Sequence, residues 1–446
     1  MKFRRVLSWT CILISFVALV GCGTLNVQIE LPPEPSSTPV KIDTPSPEPS
    51  STIVPAVTTT IMASTLEAAG ASTGQPSSAG IPVNIVQIKM LDIKNGWGIG
   101  ETEKDLNSHI LFTSDGGQTW QDRTPLQAIV PVQVAGWSAT AYFKSSQQAW
   151  VSFSPRQPQP SAGPLVVWYT VDGGNTWAKS QPLDLTDIQA DYEIPSDLGF
   201  LDSLQGWIMV HLGVGMSQDY VAVYTTGDGG KTWTRVLGAN KNPELMGCQK
   251  TGMTFTSGSM GWITGNCPGL MPSLFIYRTI NSGTSWEAVD LPVPEGKPAE
   301  YFSESQIGCG IPDLNYATAR NLILTLSCTN FNNNTNQSWL YTSTDGGLTW
   351  FDYVLPVAFG SLDMIDSAHG YFVGSTQRDA VVGGEIYYTS DGGSTWLQVI
   401  PTNWGGSLDF LDGNNGWVIA VHDKTQALVY TSNGGKFWVE LRPVIQ

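Results

Sequence analysis

One eight-residue pattern returns seven times along this chain, and it limits the architecture more than any other feature. The copies read Thr113-Ser-Asp115-Gly-Gly-Gln-Thr-Trp120, Thr170-Val-Asp172-Gly-Gly-Asn-Thr-Trp177 and, shortened, Gly227-Asp228-Gly-Gly-Lys-Thr-Trp233. They continue as Thr279-Ile-Asn281-Ser-Gly-Thr-Ser-Trp286, Thr344-Asp345-Gly-Gly-Leu-Thr-Trp350, Thr389-Ser-Asp391-Gly-Gly-Ser-Thr-Trp396 and Thr431-Ser-Asn433-Gly-Gly-Lys-Phe-Trp438. Trp120 and Trp438 are six steps and 318 residues apart, a mean period of 53. A period of this order marks a propeller or solenoid of small supersecondary units, not a set of ordinary domains.

A second pattern precedes each copy: a short apolar strand, a turn, then Gly-Trp opening another strand. Met90 to Trp97, Phe200 to Trp207 and Phe410 to Trp417 are clear examples; Phe255 to Trp262 and Met364 to Tyr371 vary it. Blade two uses Trp150, and blade five has Leu322 with the Gly missing. From this residue to the Trp that ends the first pattern is 21 to 28 residues in all seven units. Each unit therefore reads as four strands, with apolar alternation and Gly-rich turns throughout. Four strands cannot cover both their faces alone, whereas seven such units arranged radially can. The expectation is an all-β fold, a single seven-bladed β-propeller of four-stranded antiparallel blades over residues 82–446. The first and last units both look complete, so the ring is expected to close by packing.

The turn chemistry has a structural explanation. A short carboxylate accepts bonds from turn amides, and Gly supplies positive φ. The Trp is expected to pack over the blade, burying ~150–250 Å². Asn281 and Asn433 replace Asp in two copies. An amide keeps the capping geometry and loses the charge, which suits scaffold and does not suit an acid or a base.

The front of the chain is different in kind. Lys2, Arg4 and Arg5 precede the apolar run Val6 to Val20, which ends in Leu19-Val20-Gly21-Cys22. That order resembles a bacterial lipoprotein signal, so residues 1–22 are read as a signal peptide with Cys22 as the lipidation site. Residues 30 to 80 hold 9 Pro, 9 Ser and 8 Thr and no periodic apolar face. Residues 23–81 are accordingly read as a disordered linker that cannot offset its ordering entropy by burial. The expected location is extracytoplasmic, anchored to a bacterial membrane.

The formal net charge is −16, and losing three cations with the signal peptide leaves −19. That balance argues against a nucleic-acid partner. Four cysteines remain in the mature chain, Cys248, Cys267, Cys309 and Cys328, each neighbouring pair 19 apart and centred on the turn between a first and a second strand. Antiparallel strands would bring each pair together, so disulfides Cys248–Cys267 and Cys309–Cys328 are expected, each worth roughly 3 kcal/mol in the chain-entropy model.

The Gly-Trp strand followed by Thr-x-Asp-Gly-Gly-x-Thr-Trp resembles the Asp-box, or bacterial neuraminidase repeat, superfamily of propellers. It is most similar to the photosystem II stability/assembly factor-like family of exported lipoproteins, over residues 83 to 446. The resemblance implies a membrane-tethered binding or assembly module without catalysis. Photosystem-associated members carry an arginine-rich face; here Arg123, Arg235, Arg278, Arg320, Arg378 and Arg442 are scattered among blades. Sialidases share the Asp-box, but the Arg-Ile-Pro they carry is missing here; Glu193-Ile194-Pro195 is the nearest string. There is no P-loop, no GxSxG and no HExxH. The four histidines, His109, His211, His369 and His422, are not at ligand spacing. Asp184, Asp187, Asp191, Glu193 and Asp197 match no calcium loop and are read as a solvated acidic segment. No catalytic residue, cofactor or metal is therefore expected, with a sialidase-like or other glycoside hydrolase as the alternative. The partner is expected to be a protein or a glycan, and the chain a monomer. Loops before the first strands offer Trp137, Tyr192, Tyr301 and Trp404 as contact aromatics.

Overall fold

The computed structural model describes residues 80–446, apart from 104–105, 126–135, 158–162, 186–187, 189, 216–217, 268–273 and 376–383. The signal peptide, Cys22 and nearly all of the linker lie outside the described residues.

Seven antiparallel sheets follow one another along the chain. Their inner strands are Asn84–Met90, Trp137–Phe143, Ile194–Phe200, Gln249–Phe255, Asp313–Ala317, Phe359–Met364 and Gly405–Phe410. Seven separate apolar clusters sit between the sheets, one for each neighbouring pair, and the series returns on itself. Trp97, Ile110, Phe143 and Val151 join blades one and two. Ile88, Met90, Trp417 and Leu428 join blade seven to blade one. The core of this molecule is thus a ring of seven inter-blade cores, and the fold is a seven-bladed β-propeller. Two short 3-10 turns, Pro243–Met246 and Tyr301–Ser303, lie in inter-blade connections.

Most aromatics at the Gly-Trp position are deeply buried. Trp97, Trp150, Trp262 and Trp417 are at most 2% exposed. Among the Trp residues of the seven Asp/Asn turns, Trp120, Trp286 and Trp438 are buried, while Trp177, Trp233, Trp350 and Trp396 are half-buried. Leu322, which stands where blade five lacks its Trp, is fully buried.

Two departures from the sequence reading have local causes. Closure does not rest on packing alone. The C-terminal strand Val444–Ile445 pairs parallel with the outer strand of blade one, Thr119–Asp122, and antiparallel with Ile81–Pro82, making a six-stranded sheet. Blade five has its innermost strand broken into Ile307–Cys309 and Asp313–Ala317, both paired with Leu322–Asn330. Pro312 between them has no N–H to give to the ladder, which interrupts it there.

The connectivity sorts the molecule into two faces. The first-to-second and third-to-fourth strand turns fall at one end of every blade. The second-to-third loops and the inter-blade connections fall at the other. These are called below the turn face and the connection face. Both cysteine pairs lie toward the connection face, at bonding distance, with sulfurs 1.98 Å apart for Cys248–Cys267 and 2.02 Å for Cys309–Cys328.

Candidate functional site

The turn face is built from two kinds of capped turn, and each uses its polar groups internally. In the third-to-fourth turn of blade one, Thr113 Oγ1 donates to Asp115 Oδ1 (2.9 Å) and accepts from the Gly117 amide (3.0 Å). Asp115 Oδ1 also accepts the amides of Gln118 and Thr119, and Oδ2 accepts the Thr119 hydroxyl at 2.6 Å. Gly116 and Gly117 have φ of 81° and 97°, which a side chain would strain. The same network surrounds Asp172, Asp228, Asp345 and Asp391. Hydrogen bonds hold these carboxyls below the usual range. At Asp345 the Thr349 hydroxyl leads, and the pKa falls to about 2. At Asp228 burial pushes upward but is outweighed by bonds from Thr232 and Thr226, again giving about 2.

The two amide copies fit the same geometry. Asn281 Oδ1 accepts the Ser285 amide, and its Nδ2 donates to Ser285 Oγ at 2.8 Å. Asn433 Oδ1 accepts the amide of Phe437, a residue with no hydroxyl to offer. The first-to-second turns carry their own caps, which the sequence reading saw only as turns. Asp92 takes the amides of Lys94 and Asn95, Asp202 those of Leu204 and Gln205, Asp366 those of Ala368 and His369, and Asp412 those of Asn414 and Asn415. Ser145, Ser257 and Thr318 do the same in blades two, four and five. The signal was present as an Asp, Ser or Thr three residues before each turn's end.

Carboxylates on the inner strands are used differently, to tie one blade to the next. Asp363 Oδ2 accepts the Phe410 amide at 2.6 Å, Asp409 Oδ2 the Met90 amide at 2.6 Å, and Asp197 Oδ1 the Met253 amide at 3.1 Å. Lys89 Nζ pairs with Asp409 Oδ1 at 2.7 Å. Burial pushes Asp363 up to about 6, eased by the Phe410 amide and reinforced by the neighbouring charge of Asp409.

The connection face over blades three to five gathers less regular chemistry. His211 Nδ1 lies 3.0 Å from Asp219 Oδ1, and the almost fully buried Asp219 accepts the Lys250 amide through Oδ2 at 2.8 Å. Lys250 is itself buried, and its ammonium donates to the carbonyls of Asp219, Gly247 and Cys248. Burial pulls its pKa down to about 8, against the opposing charge of Asp219. This cluster anchors the start of blade four beside the Cys248–Cys267 pair. Nothing in the sequence pattern singled it out, because Lys250 and Asp219 belong to no repeat.

The expected contact aromatics divide. Tyr301 and Trp404 are each 7% exposed and belong to the inter-blade cores. Tyr301 packs edge-on against Trp339, and Trp404 against Trp438. Both are corrected to packing residues, since each lies against an aromatic of its own or the next blade. Trp137 and Tyr192 are half-buried on the connection face. Of the acidic segment, Asp184 offers its carbonyl to Tyr224 and Arg235, Asp191 lies against Gly213, Asp197 accepts the Met253 amide, and Asp187 is outside the described residues. Among the described residues, no group of three or more His, Cys, Asp or Glu is placed to hold a metal ion. No described helix is long and apolar enough to cross a membrane.

No protein-family model and no curated protein matches the chain. Among solved structures it is similar to YCF48 bound to D1 peptide, at 18% identity and a TM-score of 0.46, covering 79% of this chain and 94% of that one. It is also similar to YCF48 from Cyanidioschyzon merolae, at 17% identity and a TM-score of 0.44, covering 80% and 98%. A GH74 enzyme of Niastella koreensis is similar at 13% identity and a TM-score of 0.37, covering 81% of this chain and 66% of that one.

Proposed function

We propose that this chain is a lipid-anchored extracytoplasmic binding or assembly module of the Asp-box propeller type, similar to the photosystem assembly-factor-like lipoproteins. It presents its connection face to a protein or glycan partner. The observation that carries the reading is how the repeated polar groups are used. Every Asp or Asn of the seven Asp/Asn turns is engaged inside its own turn, and Asp197, Asp363 and Asp409 bond to the next blade. Groups so committed hold a platform rigid. The irregular connections are then the surface on which specificity is written. Cys22 and the Pro/Ser/Thr-rich segment supply the anchor and the reach. Affinity isolation of the anchored protein from its own membranes tests this. A partner recovered with the intact chain, and lost when exposed residues of the connection face are charge-reversed, supports it.

A hydrolase reading draws on one specific observation, the neighbouring carboxyls Asp363 and Asp409, the first pushed to about 6 and the second paired with Lys89. A carboxyl raised in this way, with a second carboxylate beside it, is what general acid catalysis requires. Glycan-hydrolysis assays of the full chain and its Asp363→Asn variant separate the readings. Binding without bond cleavage is the expected result, and cleavage abolished by the substitution favours the hydrolase.

A further inference from the structure

A pocket of about 260 Å³ lies on the flank of blade three, where the two inter-blade connections on either side of that blade meet its strands. Ile188 and Asp191 come from the connection leading into the blade, and Gly238 to Lys241 from the one leaving it. Leu212 and Tyr220 form the apolar wall from the second and third strands, and Arg235 comes from the outer strand.

Two glycines shape the space. A methyl group at Gly213 would stand 2.9 Å from Asp191 Oδ2, so only bare backbone lets that carboxylate lie against the wall. A Cβ at Gly238 would meet nothing nearer than Arg235 Cδ at 3.8 Å, so this side of the pocket is open. Lys241 Nζ donates to the Arg235 carbonyl at 2.9 Å, and Arg235 Nη1 to the Asp184 carbonyl at 3.3 Å. Arg235 and Lys241 stand beside Asp191 in the lining, two cations on a chain whose formal charge is −16. A guanidinium beside an ammonium favours a planar carboxylate, while the isoleucine, leucine and tyrosine ring favour an apolar body.

We propose that this pocket binds a small organic carboxylate with an apolar body, its charge toward Arg235 and Lys241 and its body against Ile188, Leu212 and Tyr220. Such a ligand would touch both connections at once, on the face assigned above to partner docking. The site itself does not depend on that assignment.

The test is ligand-observed NMR on the full chain, with 3-phenylpropionate as probe and 3-phenylpropanol as its uncharged counterpart. The carboxylate is expected to saturate in the low millimolar range or below, with the alcohol at least about tenfold weaker. Gly238→Leu, which grows a side chain into the open side, abolishes binding while leaving the circular dichroism and unfolding midpoint unchanged. Arg235→Gln removes the preference for carboxylate over alcohol. Asp191→Asn, by deleting the like charge, tightens carboxylate binding. Equal binding of the two probes, carboxylate binding that survives Gly238→Leu, or no saturation by about 10 mM overturns the proposal.

Discussion

The indole Nε1 of Trp417 in blade seven donates to the carbonyl of Gly116 in blade one at 2.9 Å, across 301 positions of sequence. This bond fastens the seam where the two ends of the repeat meet. Trp97 reaches the Ser145 carbonyl and Trp150 the Gly229 carbonyl in the same manner, each fixing its blade to the next. Trp207 occupies the equivalent place in blade three, but its Nε1 has no hydrogen-bond partner among the described residues. At Trp97, Trp150 and Trp417 the indole is therefore an inter-blade bolt as well as a core residue.

The contrast between the two indoles gives a direct comparison. Trp417→Phe keeps most of the ring and strands a part-buried carbonyl, for a cost of about 1 kcal/mol. Trp207→Phe breaks no hydrogen bond and is expected to cost less. Urea denaturation of both variants measures the difference, and the order should be Trp417→Phe below Trp207→Phe below wild type in midpoint.

The C-terminal clasp makes a second expectation. Ile445 is paired with Trp120 on one side and Ile81 on the other, and the Gln446 amide donates to the Trp120 carbonyl at 2.9 Å. Deleting residues 443–446 should open the seam without dissolving the other sheets. Hydrogen exchange should then show protection lost first in blade one and blade seven, with blades three to five little changed.

The two amide copies of the turn should respond differently to restored charge. In Asn281→Asp the second oxygen meets Ser285 Oγ, which can turn to donate, so stability is expected to hold within about 0.5 kcal/mol. In Asn433→Asp the fifth turn position is Phe437, with no hydroxyl, so the added charge finds no such donor. The unfolding midpoint of Asn433→Asp should fall further than that of Asn281→Asp.

The carboxyls also set the pH response, with opposite signs. Asp228 and Asp345 are held near 2, below their unfolded value. Their contribution is present above about pH 4 and is lost as pH falls toward 2. Asp363 is raised to about 6, so its ionisation works against folding, and the penalty grows from about pH 4 to pH 6 and stays above it. Asp363→Asn can still accept the Phe410 amide and carries no charge. It should raise the thermal midpoint at pH 8 and change it little at pH 4. A lower midpoint at pH 8 would count against this assignment.

The elements that repeat were the legible ones. Seven recurrences of the Asp/Asn turn, each preceded by Gly-Trp or its substitute, are enough to count blades, and cysteines placed symmetrically about a turn must meet when that turn is an antiparallel hairpin, as Cys309 and Cys328 do in register. What occurs once was not legible. Val444–Ile445 has no counterpart in other blades, and its place depends on how the ring meets itself. Tyr301 and Trp404 precede inner strands as an exposed contact residue would, yet they fill inter-blade gaps whose size no local pattern reveals. The Asp219–Lys250 cluster and the pocket beside blade three use residues that belong to no repeat.

The division of labour between the two faces is the claim on which the functional reading depends, and site-specific photo-crosslinking in native membranes tests it most directly. One crosslinking residue at a time replaces Asn334 or Glu300 on the connection face, or Leu204 or Leu348 on the turn face, all four exposed. A partner captured from Asn334 or Glu300 and not from the leucine positions is the predicted result. Capture from Leu204 and Leu348 alone would contradict the account.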